Sequence, residues 1–265
     1  MRRLKHLIPL VLFGAALVWS SAAPSFAWDS LKADVLILGE VHDNPDHHAF
    51  QADVLERARP SAVVFEMLTP EEAGVLNAVA RDARAMRTAS EGFHWSNIAD
   101  YADVLANSPV IIGAALPRAS MRAAFSDGAA GVFGSDAALY GLDQALGAEE
   151  QAARETLQFE AHCQAMPMEM MPGMVQAQRL RDATIAQAAL QALDRYGPVV
   201  AVITGNGHAR KDWGVPVYLA RVSPGLKIYS LGQGEAGQSP AGTFDAVERN
   251  AQTPDRGDPC AAFKS

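Results

Sequence analysis

Glu40 and His42 stand two residues apart at the end of an apolar run, in the stretch VLILGEVHDNPDHH. In an extended chain, residues two apart point the same way, so a carboxylate and an imidazole from one strand end can face one site. A second apolar run, AVVF, ends in Glu66, and a third, PVVAVIT, ends in Gly205-Asn206-Gly207-His208. The glycines there permit a tight turn or a close approach of backbone to a ligand. If these ends are neighbours, Glu40, His42, Glu66 and His208 converge. Two carboxylates and two imidazoles can bind a divalent metal ion or perform general acid–base work. They can also form a buried polar network with a purely structural role. The spacing matches no tight zinc signature, so the identity of a metal stays open.

Other residues extend the set. Arg179 and Asp182 lie three apart and so share one face of a helix. They read either as a surface ion pair of small worth or as an Arg clamp for a carboxylate, whether a substrate group or a haem propionate. Methionines Met168, Met170, Met171 and Met174 crowd the segment QAMPMEMMPGM. They read either as fillers of an irregular core or as contacts for a flat apolar ligand. For such a ligand, His162 and the residues His94 and Tyr101 of FHWSNIADY are the candidate axial groups. No CxxCH motif is present, which excludes covalent c-type haem. No GxSxG elbow is present, which argues against an ordinary α/β-hydrolase. His47 and His48 fall in the first turns of a helix, where exposed positions are expected, and Asp43 reads as a helix-start charge.

The elements that must position these groups follow from pattern. Residues 34–39 read as a buried strand bounded by Gly. Asn44-Pro45 is a cap followed by Pro at the first helical position, opening a helix over 46–59. Residues 62–65 are a second buried strand, which completes a βαβ unit with a right-handed crossover. Thr69-Pro70-Glu71-Glu72 opens a helix expected to run to about Met86. Helix is expected again from Asn97, and strand over 109–115. Residues 117–146 are rich in Ala and Gly and show no clear period. Segments 149–163 and 175–195 read as long helices, 198–204 and 226–231 as strands, and the remainder as a polar tail. Strands alternate with helices, and the strands are apolar throughout. The expected class is α/β, a mostly parallel sheet flanked by helices, with a smaller helical subdomain inserted over about 70–195. In such sheets ligands bind outside the carboxyl ends of the strands.

The whole chain sets further bounds. It has 265 residues, 49% hydrophobic and 20% charged, enough for a sizeable core. A net charge of -8 and the lack of a basic face exclude a nucleic-acid footprint. The start carries Arg2, Arg3 and Lys5, then an apolar run too short for an ordinary membrane span, then Ser25-Phe26-Ala27. This predicts a signal peptide over 1–27, cleaved after Ala27, with an uncleaved anchor as the alternative. The expected organisation is an α/β domain over 28–235 and a polar tail over 236–265, in the periplasm. No Cys sits near the cleavage site, so no lipid anchor is expected. The two cysteines, Cys163 and Cys260, either pair and staple the tail or leave Cys163 free beside His162.

Four segments taken together, ILGEVHDNPDHH, AVVFEM, AHCQAMPMEMMPGMVQAQRLRD and VITGNGHARKDWGVPVYL, resemble the ChaN-like haem-binding uptake proteins of the Tiki, TraB and erythromycin-esterase superfamily. The resemblance spans about residues 34–232. It implies a parallel α/β core with a smaller helical domain, haem binding through a tyrosine, and a role in iron uptake. Homodimers enclosing haem and an outer-membrane haem uptake system as partner belong to the same implication. Enzymatic branches of the superfamily use the positions matching Glu40, His42, Glu66 and His208 for hydrolysis, with metal in the Tiki proteases. The helix bearing Arg179 and Asp182 also matches the pattern. Two functions therefore compete: a periplasmic haem-binding protein for haem and iron uptake, and a metal-dependent or acid–base hydrolase of ester or peptide bonds. A third reading makes the cluster a structural network alone.

Overall fold

A computed structural model describes residues 32–257 and 260–261; the expected signal peptide lies outside them. Six strands make one sheet: β1 (Val35–Glu40), β2 (Ala62–Phe65), β3 (Ile111–Gly113), β4 (Val200–Gly205), β5 (Ile228–Glu235) and β6 (Ala246–Ala251). Their order is β3-β2-β4-β1-β5-β6, and each neighbouring pair is parallel. Between them run helices α1 (Pro45–Ala58), α2 (Pro70–Asn77), α3 (Ala83–Ala89), α4 (Ala102–Ala106), α5 (Arg118–Asp127), α6 (Ala129–Phe133), α7 (Ala148–Ala161), α8 (Met171–Tyr196), α9 (Asn206–Ala209) and α10 (Val215–Val222). The class is α/β, as expected. No helix among the described residues is long and apolar enough to cross a membrane.

The central strands are buried on both faces, and the period of two divides their side chains between two cores. Val35, Ile37, Val64, Val200 and Val202 join the core that holds Leu180, Ile185 and Ala189 of α8 and Leu219 of α10. Leu36, Leu38, Val63, Phe65, Ala201 and Ile203 join the core beneath Val54 and Leu55 of α1 and Leu105 of α4. A half-buried strand would alternate apolar and polar residues. These do not, because both faces are covered.

The local signals act as their chemistry dictates. Asn44 caps α1 by accepting from the Asp46 and His47 N–H groups, with Pro45 next. Thr69 and Glu72 form a reciprocal capping box on α2. The single helix expected from Thr69 to Met86 is instead two. α2 stops at Asn77, and Asp82 caps α3 afresh by accepting from the Ala85 N–H. Helix α8 starts at Met171, inside the Met-rich segment, and takes up the end of the expected loop. The expected turn at 205–208 winds into the short helix α9. The segment read as a polar tail contributes strand β6, whose Ala246 and Val247 sit opposite Leu231 and Gly232. As an edge strand it keeps much of its surface in solvent, which is why its sequence is polar. Cys163 and Cys260 are joined as a disulfide, so Cys163 is not the free thiol that the alternative required.

Candidate functional site

Strands β1 and β4 stay in register to their ends, with Glu40 opposite Gly205. Strand β2 runs alongside β4, and the Glu66 N–H donates to the Ile203 carbonyl just past it. Three strand ends thus bring Glu40, Glu66 and the start of α9 side by side at the carboxyl edge of the sheet, where open α/β sheets hold ligands.

Glu40 is fully buried there and accepts three hydrogen bonds. His42 Nδ1 donates at 2.8 Å, the Tyr101 hydroxyl at 2.6 Å and Gln51 Nε2 at 2.8 Å. Tyr101 also donates to the His42 carbonyl at 3.1 Å, and Asn97 donates to the same oxygen at 2.9 Å. The imidazole of His42 is therefore oriented from one side by a carboxylate. Its other nitrogen, Nε2, turns toward Glu66 Oε2 at 3.8 Å. Burial disfavours the charged ring, but the Glu40 hydrogen bond and the Glu66 charge outweigh it, and the His42 pKa is raised. Burial and the Glu40 carboxylate push Tyr101 the same way, so it holds its proton.

A second ionic group adjoins the first. His208, carried by α9, lies between Asp182 of α8 (Nδ1 to Oδ1, 2.6 Å) and Glu66 (Nε2 to Oε1, 3.2 Å). Burial opposes its charge, yet the two carboxylates raise its pKa to about 10, so the ring is an imidazolium at neutral pH. Glu66 accepts from the Thr204 hydroxyl at 2.6 Å and the Gly205 N–H at 2.9 Å. Burial would raise its pKa, but the charge and hydrogen bond of His208 hold it well below the carboxylate range. Asp182 is raised because burial dominates over His208. Glycine at 205 leaves room for the imidazole: a Cβ there would sit 3.0 Å from His42 Nε2 and crowd the ring.

These groups floor two clefts. The first, about 480 Å³, is walled by Leu157 of α7, Val175 of α8 and Trp213, with Arg154, Arg181 and Arg210 around it. Arg210 lies over the Trp213 ring, 3.7 Å from its centroid, and Arg154 lies 5.2 Å from the same centroid. The second, about 520 Å³, is walled by Met67, Leu116, Met121 and Ile185, with His94, Trp95 and Arg118. His42, Glu66 and Arg181 line both, so the clefts meet over the polar cluster.

The structure thus brings together Glu40, His42, Glu66, His208 and Asp182. It does not arrange them around a metal ion. Among the described residues, no three His, Cys, Asp or Glu side chains are placed to hold one. Most of their nitrogens and oxygens are engaged with each other and with Tyr101, Gln51 and Thr204, while Asp182 Oδ2 is buried without a hydrogen-bond partner. Arg179 stays apart: its guanidinium is buried and donates to the Gly141 and Gln144 carbonyls. Its neighbour Arg181, 47% exposed, is the arginine of α8 that lines both clefts. His162 bonds the Gln158 carbonyl at the end of α7, outside both clefts. Met171 is buried and Met170 exposed, and neither lines a cleft. His94 lines the second cleft, held by Glu72.

His47 and His48, expected at exposed positions, are both buried. His47 accepts from the Val41 N–H and donates to the Gly234 carbonyl, tying the end of β1 to β5. His48 packs on Tyr101 with ring centroids 3.8 Å apart. The signal was in the periodicity: His47, Gln51, Val54 and Leu55 recur at helical spacing, and together they form the inward face of α1.

Residues 27–219 match the family model described as haem-binding uptake, Tiki superfamily, ChaN. No match was found among the curated proteins. Among solved structures, the chain is similar to ChaN of Campylobacter jejuni, a structure described as showing cofacial heme binding. Identity is 20% over 82% of this chain and 87% of that one, with a TM-score of 0.59, so the two share a fold. A structure of the type III effector HopBA1 matches at 10% identity over 83% of this chain and 88% of the other, with a TM-score of 0.43. With its family model covering the βαβ unit, both helical layers and the strand-end cluster, the chain belongs to the ChaN-like haem-binding uptake family of the Tiki superfamily.

Proposed function

We propose that this protein binds haem at the carboxyl edge of its sheet and serves haem and iron uptake from the periplasm, with haem as cargo. One observation carries the reading: two clefts of about 480 and 520 Å³ adjoin through Arg181, and each pairs apolar walls with arginine. Haem is a flat apolar ring with two carboxylates. Apolar side chains and Trp213 suit the ring, and guanidinium groups suit carboxylates through paired N–H donors. Arg181 and Arg118 are the groups we assign to the propionates. Family membership and the haem-bound ChaN of Campylobacter jejuni support the ligand. The signal-like N-terminus supports export, and the family supports a homodimer working with an outer-membrane haem uptake system. Titration of the purified protein with ferric haem should give a saturable Soret change at defined stoichiometry. Only the unsaturable drift shown by any apolar protein would overturn the reading.

A second reading rests on a different observation. Tyr101 and Gln51 fix Glu40, Glu40 orients His42, and His42 keeps 30% of its side chain open to the clefts. A carboxylate-oriented imidazole at a cleft can take a proton from water or substrate, which is the geometry of acid–base hydrolysis. If ester or peptide turnover is found, Glu40→Gln combined with His42→Ala should abolish it with the fold intact. Undiminished turnover in that variant would remove this site from the chemistry.

A further inference from the structure

We infer that His94 supplies the axial nitrogen to haem iron in the second cleft, with Glu72 as the residue that positions it. This rests on the haem-binding reading above and adds to it the ligand and the half of the groove.

The family resemblance implies a tyrosine ligand, and neither cleft offers one. The chain has five tyrosines, and none lines either cleft. Tyr101 is buried with its hydroxyl bonded to Glu40. Tyr140 and Tyr218 are buried as well. Among histidines lining the clefts, His208 has both nitrogens engaged by carboxylates. His42 has Nδ1 on Glu40, and its Nε2 is packed so closely on Gly205 that a single added methyl would stand 3.0 Å away. That nitrogen also faces a carboxylate already, Glu66 Oε2 at 3.8 Å.

His94 differs on each count. Its Nδ1 is 2.9 and 3.0 Å from the two oxygens of Glu72, and its own backbone N–H donates to Glu72 at 2.9 Å. Glu72 is fixed in turn, because it accepts from the Thr69 N–H in the capping box of α2. Among the described residues, no hydrogen bond to His94 Nε2 is formed, and the side chain is 51% exposed beside the second cleft. A carboxylate on one ring nitrogen fixes the tautomer and ring plane and leaves the other nitrogen to the metal, which is how metal-binding histidines are usually supported. Met67, Leu116 and Met121 supply an apolar wall, and Arg118 and Arg181 a cationic rim. A surface ion pair alone would not need an apolar wall in the same cleft.

The test compares ferric haem complexes of the wild type, His94→Ala, His94→Gln and Glu72→Gln by absorbance and electron paramagnetic resonance. Wild type should show nitrogen ligation. His94→Ala should lose that signature, and free imidazole should restore it. His94→Gln should lose it while keeping the contact with Glu72. Glu72→Gln should keep nitrogen ligation but weaken affinity roughly 10–100-fold, the usual effect of losing a supporting partner. A wild-type spectrum in either His94 variant, or oxygen ligation in wild type, would overturn the inference while leaving haem binding standing. No saturable spectrum in wild type would instead overturn the haem reading beneath it.

Discussion

His208 shows most directly what single residues contribute. Its two carboxylate partners come from separate elements, Asp182 from α8 and Glu66 from the end of β2. Removing the imidazole leaves both acids buried without their counter-charge, and His208→Ala should cost about 3–5 kcal/mol in a urea titration. The pH dependence has a definite sign. The folded pKa of His208 is raised to about 10, above an unfolded value of about 6.5. Its contribution is complete below the lower value and is lost as pH rises toward the higher one. Stability should therefore fall from about pH 7 to 10, and His208→Gln should flatten most of that fall. Glu66 is ionised throughout this window and does not alter the sign. At this scale the sequence was legible where chemistry sat at strand ends, as for Glu40, His42, Glu66 and His208. Tyr101 was expected near iron and instead holds Glu40, sixty-one residues away in sequence. Contacts of that separation follow from the packing of α4 on α1, which local spacing does not encode. Arg181 was missed because Arg179 and Asp182 drew attention as a pair, whereas each has its own partner.

Among elements, the decisive contact is α9 on β1. Glycine at 39 lets the helix sit down on the strand: an added Cβ would meet Asn206 Oδ1 at 2.6 Å, Ala209 Cβ at 2.9 Å and the Leu231 carbonyl at 3.1 Å. Gly39→Ala must push α9 off the sheet, and His208 rides on α9. We expect a loss of about 1–3 kcal/mol, the usual cost of overpacking a filled site. Gly207→Ala is the control, because its Cβ would meet nothing nearer than Gln178 Nε2 at 3.9 Å. Near-equal stabilities of the two variants in urea would refute this account of the contact. The strands from 35 to 65 and from 200 to 231 could be read in advance because their side chains are apolar on both faces. The elements that could not be read were short or on the rim. The segment 117–146 carries α5 and α6, short helices of 10 and 5 residues whose fully buried side chains are Ala124 and Ala129 alone among the described residues, and β6 is polar because it is an edge.

For the whole molecule, the open question is what holds the last strand and the cleft wall in place. Cys163 lies just past α7, which walls the first cleft, and Cys260 lies beyond β6. Their sequence separation of 97 encloses α8, β4, α9, α10, β5 and β6, and with them Asp182, Gly205 and His208. Nearer the site, Arg256 bridges Asp43 and Glu235, so the C-terminal segment is also tied to the end of β1. A cross-link closing a loop of this length restricts the unfolded chain by about 4–5 kcal/mol in the chain-entropy account. For a domain of this size that corresponds to a fall in Tm of about 10 °C when the link is lost. Cys163→Ser with Cys260→Ser should show that fall, and a reducing agent should lower the Tm of wild type but not of the variant. Neither cysteine lines a cleft, so the haem titration of the variant at 25 °C should match wild type. A variant that keeps its Tm would show the tail to be held by Arg256 and β6 alone. One that folds but loses the ligand would show that the wall formed by α7 depends on its tether.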